Sequence, residues 1–226
     1  MITILISANS EWRALKEVID PASCLPNPFS EHFFFEVHGE PAVFMHGGWG
    51  KTSAAATTQF AIDTWHPRLV VNLGTCGGLN GKISAGETLL VNETVAYDIY
   101  ERMGNPEEAI RSYSTKIDLS FITPPYPIPV EVGKIASADQ DIDPAMVSTL
   151  IEKFEVRAAD WESSSIAWVS ARNGLPCLIL RTVSDVVNET AGEIYDDELA
   201  QFDERCKWIM ENLVNSLPDW LERCRF

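Results

Sequence analysis

The sequence lacks the features that mark several common classes of protein. Its 17 lysines and arginines stand against 33 aspartates and glutamates, which gives a formal net charge of -16. A surface so poor in cations repels nucleic-acid phosphates and anionic lipid. No apolar run approaches the roughly 20 residues that span a bilayer. We therefore expect neither a nucleic-acid partner nor a membrane partner.

The patterns typical of disulfide frameworks and metal sites are also missing. The five cysteines are scattered and form no Cys-x-x-Cys pair, which favours reduced thiols in a cytoplasmic protein. The four histidines all fall in the first third of the chain and form no His-Glu-x-x-His motif. The apolar segment 1–8 has no positive leader and reads as a buried strand rather than a signal peptide. We expect a cytoplasmic location, no metal and no other cofactor.

What the sequence does contain is an alternation of strand and helix patterns. With 226 residues, 46% hydrophobic and 22% charged, the composition is that of an ordinary globular protein. Short apolar runs rich in β-branched residues alternate with longer helical patterns. Strands buried on both faces indicate helices on both sides of a sheet. The sequence predicts one α/β domain over residues 1–226, with a mixed sheet flanked by helices.

Turn- and loop-forming residues between these patterns predict the individual elements. Glycines 74, 77 and 78 predict a tight turn at the end of an apolar strand. Residues 98–131 are polar and rich in proline, which predicts a long loop excursion. The main predicted elements are strands 2–8, 69–73 and 177–183, and helices that begin near Ser10, Glu162 and Leu199.

Polar residues follow several of the predicted strands. Ligands of open α/β sheets gather at the carboxyl ends of the strands. Taken singly, Glu11 and Glu162 fit acids in the first turn of a helix, and Asp185 fits a turn or cap residue. Together with Asp160 and the glycine turn, they predict an acidic pocket with many backbone groups.

The segment 46–52 ends in Gly-Lys-Thr, as phosphate-binding loops do. The first glycine of that motif is missing, because its position holds Met45. We predict instead a glycine turn that lets a helix pack close to a strand.

These motifs, in this order, resemble the nucleoside phosphorylase and nucleosidase superfamily, and within it the methylthioadenosine/S-adenosylhomocysteine nucleosidases. The resemblance implies a central, partly barrel-like mixed sheet and cleavage of the bond between ribose and a nucleobase. It also implies a homodimer in which the 98–131 segment completes the neighbouring site. The motifs that carry it are 48–51 before an alanine-rich helix, 71–79, 96–98, 160–162 and 181–185.

The resemblance assigns catalytic roles for a reaction that passes through an oxocarbenium-like sugar. Asp185 matches the acid that protonates the purine at N7, oriented by Ser184, and proton delivery near pH 7 requires a raised pKa. Glu162 matches the residue that binds the ribose hydroxyls. Glu11 matches the residue that activates water, and Arg181 would steady the water and the carboxylates.

The resemblance also assigns a substrate-binding group that departs from the family in places. Thr75 replaces a serine near the sugar, and Asp141 stands where the family has an aromatic residue under the base. Trp161, expected to stack at the ribose face, and Trp49 replace other apolar residues. The whole group comprises Thr75, Cys76, Gly77, Asp141, Ile142, Asp160, Trp161 and Trp49.

The nucleophile and the substrate leave alternatives open. Asn72 occupies the position of a phosphate-binding arginine in the phosphorylases, which favours water and hence a nucleosidase acting on a purine nucleoside. A phosphorylase that recruits phosphate through Arg13 or Arg181 is one alternative. A futalosine-type hydrolase, in which Gln140 and Asp141 read a different base edge, is a second. A non-catalytic nucleoside-binding protein is the third.

Overall fold

A computed structural model describes residues 1–192 and 199–225, and it confirms the α/β class. The helices are α1 (Asn9–Ile19), α2 (Gly50–Trp65), α3 (Pro106–Tyr113), α4 (Val147–Glu152, after the 3-10 turn Pro144–Met146), α5 (Ser163–Arg172) and α6 (Leu199–Arg223). The strands are β1 (Ile2–Ile6), β2 (Leu25–Pro26), β3 (Glu31–Val37), β4 (Glu40–His46), β5 (Val70–Leu79), β6 (Thr88–Ala96), β7 (Thr115–Lys116), β8 (Glu131–Ser137), β9 (Val156–Asp160) and β10 (Cys177–Val187).

The sheet is mixed and partly closed, as the resemblance implied. Strands β10, β6, β8, β9 and β5 are neighbours in that order, and β10 also pairs with β5, so that the ring closes. Strands β1, β4, β3 and β2 extend the sheet from β5. Every residue of β1 is buried, because helices cover both faces of this parallel strand.

Two helix layers enclose the sheet. One layer holds α1 and α6, whose apolar faces join β1 in a core that includes Trp12, Leu15 and Leu213. The other holds α2 and α5, with Ala54 and Ile166 in a second core cluster. Among the helices of the described residues, none has the length and apolarity required to cross a bilayer.

The glycine run 74–78 is not the tight turn that the sequence predicts, because β5 continues through it to Leu79. A Cβ atom on Gly77 would lie 2.7 Å from Ile142 Cδ1, and one on Gly78 would lie 2.8 Å from Val183 Cγ1. The missing side chains therefore allow a close approach of neighbouring segments. In the same way, β10 continues beyond 183 to Val187.

The start of α1 also differs from the prediction. The N-cap is Ala8 rather than Ser10, and the Glu11 side chain accepts a hydrogen bond from the Ala8 backbone N–H at 3.0 Å. This is the glutamate half of a capping box, which a sequence search for a polar N-cap residue does not find.

The predicted excursion 98–131 contains regular structure. Asn105 caps α3 by accepting from the Glu107 N–H at 3.0 Å, and Pro106 occupies the first turn. The short strand β7 then pairs with β6. The loop prediction was therefore wrong for these stretches, where a local capping signal was present in the sequence.

Two other predictions agree with the structure. The glycine turn before α2 is present, with φ of 75° at Gly48 and 81° at Gly50, values that favour glycine. The helix predicted to begin near Leu199 is present as α6, on which Cys206, Ile209 and Leu213 are buried. The side chain of Leu199 lies outside the described residues.

The close packing at β5 gives a stability prediction. Gly78→Ala is expected to lower the free energy of unfolding by about 1–3 kcal/mol, because the added Cβ collides with Val183 and Ile83. The matched control is Gly47→Ala, whose Cβ would find its nearest atom at 3.5 Å. Urea unfolding checks both variants. Equal stability of the two would contradict the packing role of Gly78.

Candidate active site

All of the residues that the sequence analysis assigned to the site line one cavity of about 420 Å³. It lies where the first turn of α1, the ends of β9 and β10 and the middle of β5 meet. The predicted residues brought together there are Glu11, Trp49, Thr75, Cys76, Gly77, Asp141, Ile142, Asp160, Trp161, Glu162, Arg181, Ser184 and Asp185.

Arg181 lies at the centre of the buried charges. Its Nε is 3.0 Å from Asp160 Oδ2, its Nη2 is 3.4 Å from Glu162 Oε2, and its Nη1 is 3.7 Å from Glu11 Oε1. Nη1 also donates to the Thr75 carbonyl oxygen at 3.2 Å. The side chain is only 1% exposed, so these partners replace the water that the guanidinium loses on burial.

The charge of Arg181 is retained because its partners outweigh its burial. Burial disfavours the charged form, but Asp160, Glu11 and Glu162 raise the pKa of Arg181 above its ordinary value. The guanidinium lies between the carboxylates, where a metal cation would otherwise have to bind. In the part of the chain that the structure describes, no group of three or more His, Cys, Asp or Glu residues is arranged to hold a metal ion.

Glu11 is held by backbone and hydroxyl donors on both oxygens. Oε1 accepts from the Thr75 N–H at 2.6 Å and from Thr75 Oγ1 at 2.9 Å, while Oε2 accepts from Ala8. Gly74 makes this possible, because a Cβ there would lie 2.6 Å from Glu11 Oε1. The carboxylate is therefore fixed at the cavity wall.

Asp160 joins three serines to Arg181. Its Oδ1 accepts from Ser137 Oγ at 2.6 Å, and its Oδ2 contacts Ser163 Oγ. Ser137 Oγ in turn accepts from the Ser164 N–H at 3.0 Å. Because both of its oxygens are engaged by protein groups, Asp160 orients Arg181 rather than offering a free oxygen to a ligand.

Glu162 is the N-cap residue of α5 and reaches across the cavity. Its Oε1 accepts from the Gly50 N–H at 3.2 Å, and its Oε2 faces Arg181. Burial raises the pKa of Glu162 to about 8, with Asp160 and Glu11 adding to the rise while Arg181 and the Gly50 N–H oppose it. Such a carboxyl is suited to hydroxyl groups, with which it can act as acceptor or donor.

Ser184 and Asp185 lie at an irregularity in β10. The pairing with β5 shifts between Val183 and Asp185, which leaves Ser184 as an additional residue. Ser184 Oγ donates to Asp185 Oδ1 at 2.6 Å, and Arg205 Nη1 of α6 donates to the Ser184 carbonyl oxygen at 2.9 Å. The acid and its neighbouring hydroxyl thus have a defined mutual orientation.

Aromatic and exposed polar groups form the remaining wall. Trp161 and Trp49 line the cavity, and Trp49 is 63% exposed at its rim. Gln140 and Asp141 are exposed on the segment between β8 and the 3-10 turn. The cavity therefore combines a buried charged floor with an aromatic and amide rim, which suits a flat polar molecule.

The cavity also has lining residues that the sequence analysis did not assign. Phe202 has the spacing of a core residue on α6, so its pattern cannot be told from that of the buried face. Ser10 was predicted only as the start of a helix. Gln140 was named only in the futalosine alternative, and the unassigned lining residues are Ala8, Ser10, Ala159, Val187 and Phe202.

Two residues relevant to phosphate binding point elsewhere. Asn72 is fully buried between β1 and β5, where its Nδ2 donates to the Leu5 carbonyl oxygen at 2.9 Å. The Arg13 side chain is 66% exposed, and its Nη2 lies 3.6 Å from Asp203 Oδ1 on α6. Among the described residues that line the cavity, the cation is Arg181, which is already surrounded by carboxylates.

The fold and this site define an α/β protein with a partly closed sheet and an acidic cavity built around one arginine. The model of the phosphorylase superfamily matches residues 4–217. The chain belongs to this superfamily, and the resemblance seen in the sequence is confirmed at that level.

Individual relatives are distant in sequence but similar throughout. The chain is 23% identical over 234 residues to the 5'-methylthioadenosine/S-adenosylhomocysteine nucleosidase of Staphylococcus haemolyticus, covering 96% of this chain and all of that protein. The Helicobacter pylori nucleosidase of the same name, solved with butyl-thio-DADMe-Immucillin-A, has a TM-score of 0.80 at 22% identity, covering 98% and 97% of the chains. The futalosine hydrolase of H. pylori has a TM-score of 0.79 at 21% identity, with the same coverage.

The raised pKa of Glu162 predicts that this residue lowers the free energy of unfolding at high pH. A carboxyl whose pKa rises from 4.5 to about 8 on folding binds its proton more tightly in the folded state. Its contribution to stability is therefore present below pH 4.5 and is lost as the pH rises toward 8. Glu162→Gln keeps the shape without the charge, so its stability relative to wild type should increase by about 3 kcal/mol between pH 5 and pH 8.

Urea unfolding of both proteins at the two pH values measures this difference, since the other titrating groups are common to both. Glu36→Gln, on an exposed position of β3, is the matched control and should show no such trend. A constant difference between Glu162→Gln and wild type would contradict the prediction.

Proposed function

We propose that the protein is a nucleosidase that hydrolyses the N-glycosidic bond of a purine nucleoside with a modified 5' group, of the methylthioadenosine/S-adenosylhomocysteine type. The observation that carries the proposal is the convergence of Glu11, Glu162 and the Ser184–Asp185 pair on one cavity around Arg181. The names of the relatives support the same reaction class.

Each group has a task in this reaction. Glu162 binds the ribose hydroxyls, and Asp185, oriented by Ser184, donates a proton toward purine N7 as the base leaves. Glu11 receives a proton from the attacking water, which Arg181 helps to position. The developing positive charge on the sugar is then stabilised by a cavity in which carboxylates outnumber the guanidinium.

The same charges favour water over phosphate as the nucleophile. A phosphate dianion would enter a cavity that holds Glu11, Asp160 and Glu162 and would find Arg181 already bonded to all three. The side chains of Asn72 and Arg13 are engaged elsewhere. Phosphorolysis is therefore the less favoured alternative.

A second substrate, futalosine, is favoured by one feature of the rim. Gln140 and Asp141 line the cavity where the resemblance places an aromatic residue under the base. A carboxylate accepts hydrogen bonds only, so it suits a base edge that presents an N–H, such as N1–H of a 6-oxopurine. The structural similarity to a futalosine hydrolase supports the same candidate.

The surroundings of the protein are also part of the proposal. We propose a cytoplasmic homodimer in which the segment 98–131 contacts the neighbouring subunit. Tyr100 is 77% exposed and Met103 is 98% exposed on this segment, and the exposed Trp49 lies at the cavity rim. Large apolar side chains exposed in this way are typical of an interaction surface.

Base release tests the proposed reaction. The wild-type protein is expected to release a free base from methylthioadenosine, S-adenosylhomocysteine or futalosine without phosphate, with inosine and adenosine as comparison substrates. Asp185→Asn should lower kcat at least about 100-fold, because it removes the proton donor. The exposed Asp219→Asn is the matched control and should keep full activity. Chromatography of the base measures each rate.

The outcomes separate the alternatives. Strict dependence on phosphate would overturn the hydrolase in favour of a phosphorylase. Nucleoside binding with no base release at high protein concentration would support the non-catalytic alternative. Unchanged turnover in a folded Asp185→Asn protein would exclude Asp185 as the acid.

Assembly has its own test. Sedimentation equilibrium should give twice the chain mass of 25.2 kDa. The double variant Tyr100→Glu/Met103→Glu should shift the equilibrium toward the monomer, because it puts charge at the proposed contact. Trp208→Glu, at a position of α6 that is 52% exposed, is the control. A monomeric wild-type protein would contradict the proposal.

A further inference from the structure

The N-terminus of α2 binds two carboxylates that come from other parts of the chain. Its N-cap residue, Trp49, has an indole that cannot accept a hydrogen bond. Instead, the Lys51 N–H donates to Asp139 Oδ1 at 2.7 Å, and the Gly50 N–H donates to Glu162 Oε1 at 3.2 Å. The first-turn N–H groups of this helix therefore face the end of β8 and the cavity.

The Lys51 side chain, which belongs to the Gly-Lys-Thr segment, fastens this arrangement. Its Nζ contacts the Asp98 carboxylate and lies 3.9 Å from Asp139 Oδ2. Asp98 Oδ2 also accepts from the Asp139 N–H at 3.0 Å. Because β6 and β8 are parallel neighbours, both aspartates leave the sheet at the same edge. We call Lys51, Asp98 and Asp139 the lysine clamp.

The lysine clamp joins two segments that line the cavity. Trp49 precedes it on the glycine turn, and Gln140 follows Asp139. The fit leaves little freedom, because a Cβ on Gly50 would lie 2.7 Å from Asp139 Oδ1. The Lys51 and Asp98 side chains are only 21% and 19% exposed, so their pairing is less screened than that of a surface ion pair.

We propose that the lysine clamp is a positioning device for Glu162: it holds the Gly50 N–H against Glu162 Oε1 and so fixes the carboxylate at the cavity wall. The ribose-binding role of Glu162 rests on the proposed function, whereas the clamp and its contact do not. Lys51 is thus a positioning residue that acts through the start of α2 rather than on a ligand.

The contact has an electrostatic consequence that can be measured in the unliganded protein. Glu162 faces Arg181 of β10, Asp160 of β9, Glu11 of α1 and the Gly50 N–H of α2. The Gly50 hydrogen bond favours the ionised form and lowers the pKa of Glu162 against the effect of burial. Loss of this bond should therefore raise that pKa.

Asp98→Ala gives a test in which positioning and simple charge effects have opposite signs. Removing a nearby anion should lower the pKa of Glu162 through space, whereas releasing Lys51 and Asp139 should raise it by loosening the Gly50 contact. A carboxyl ¹³C NMR titration, with Glu162 assigned by its loss in Glu162→Gln, measures the result. The expected result is a pKa of Glu162 about 0.5 higher than in wild type.

Matched variants define the outcome. Asp98→Asn keeps an acceptor oxygen, so the pKa of Glu162 should lie between its values in wild type and in Asp98→Ala. Asp143→Ala removes a carboxylate of the same segment that caps only the Ala145 N–H, at 2.9 Å, and should not raise the pKa of Glu162. A pKa that is unchanged or lower in Asp98→Ala overturns the proposal. If Asp98→Ala does not fold, Asp139→Ala takes its place with the same expectation.

Catalysis provides a second readout. Lys51→Met should lower kcat/KM about tenfold through misplacement of Glu162, whereas Lys51→Arg should keep most of the wild-type kcat/KM. The double variant Lys51→Met/Asp98→Ala should have a kcat/KM no lower than that of either single variant. Additive losses would contradict a shared assembly. If the wild-type protein releases no base, the proposed function fails, and the NMR titration alone decides on the lysine clamp.

Discussion

The burial of Arg181 among three carboxylates is the constraint on which the rest of the site depends. Glu11, Asp160 and Glu162 come from three separate elements, and a buried carboxylate is tolerated only with a paired cation or with donors. The guanidinium provides the shared partner, and its five N–H donors let it serve several acids at once. Gly74 completes the arrangement, because any side chain there would displace Glu11.

One guanidinium faces three carboxyl groups, and their charges are compensated unevenly. Asp160 is compensated by serine hydroxyls and backbone N–H groups, and Glu11 by Thr75 and Ala8. Glu162 accepts from the Gly50 N–H and faces Arg181, and burial, with Asp160 and Glu11 adding to the effect, raises its pKa to about 8. A cavity in which carboxyl groups outnumber the one guanidinium is complementary to a transition state that becomes positive at the sugar rather than to a neutral ground state.

Local signals predicted the class of fold and the carboxylates, because apolar runs and strand-end acids are properties of short segments. The wrong predictions concern residues whose local structure is determined by contacts with residues distant in sequence. Gly77 and Gly78 resemble turn residues until Ile142 and Val183 are known to pack against them. The N-cap at Ala8 depends on the side chain of Glu11, and Phe202 has the same spacing whether it faces the core or the cavity. Such choices are made by tertiary packing.

The closed ring of strands explains how an acid and its orienting hydroxyl reach the same space. Successive side chains of a regular strand point to opposite faces, so Ser184 and Asp185 would be separated by the sheet. The additional residue in β10, between the pairs Val183 with Cys76 and Asp185 with Gly77, changes that alternation. Both side chains then line the cavity, 2.6 Å apart. The geometry of the proposed acid therefore follows from the register of β10 against β5, the pairing that closes the ring of strands.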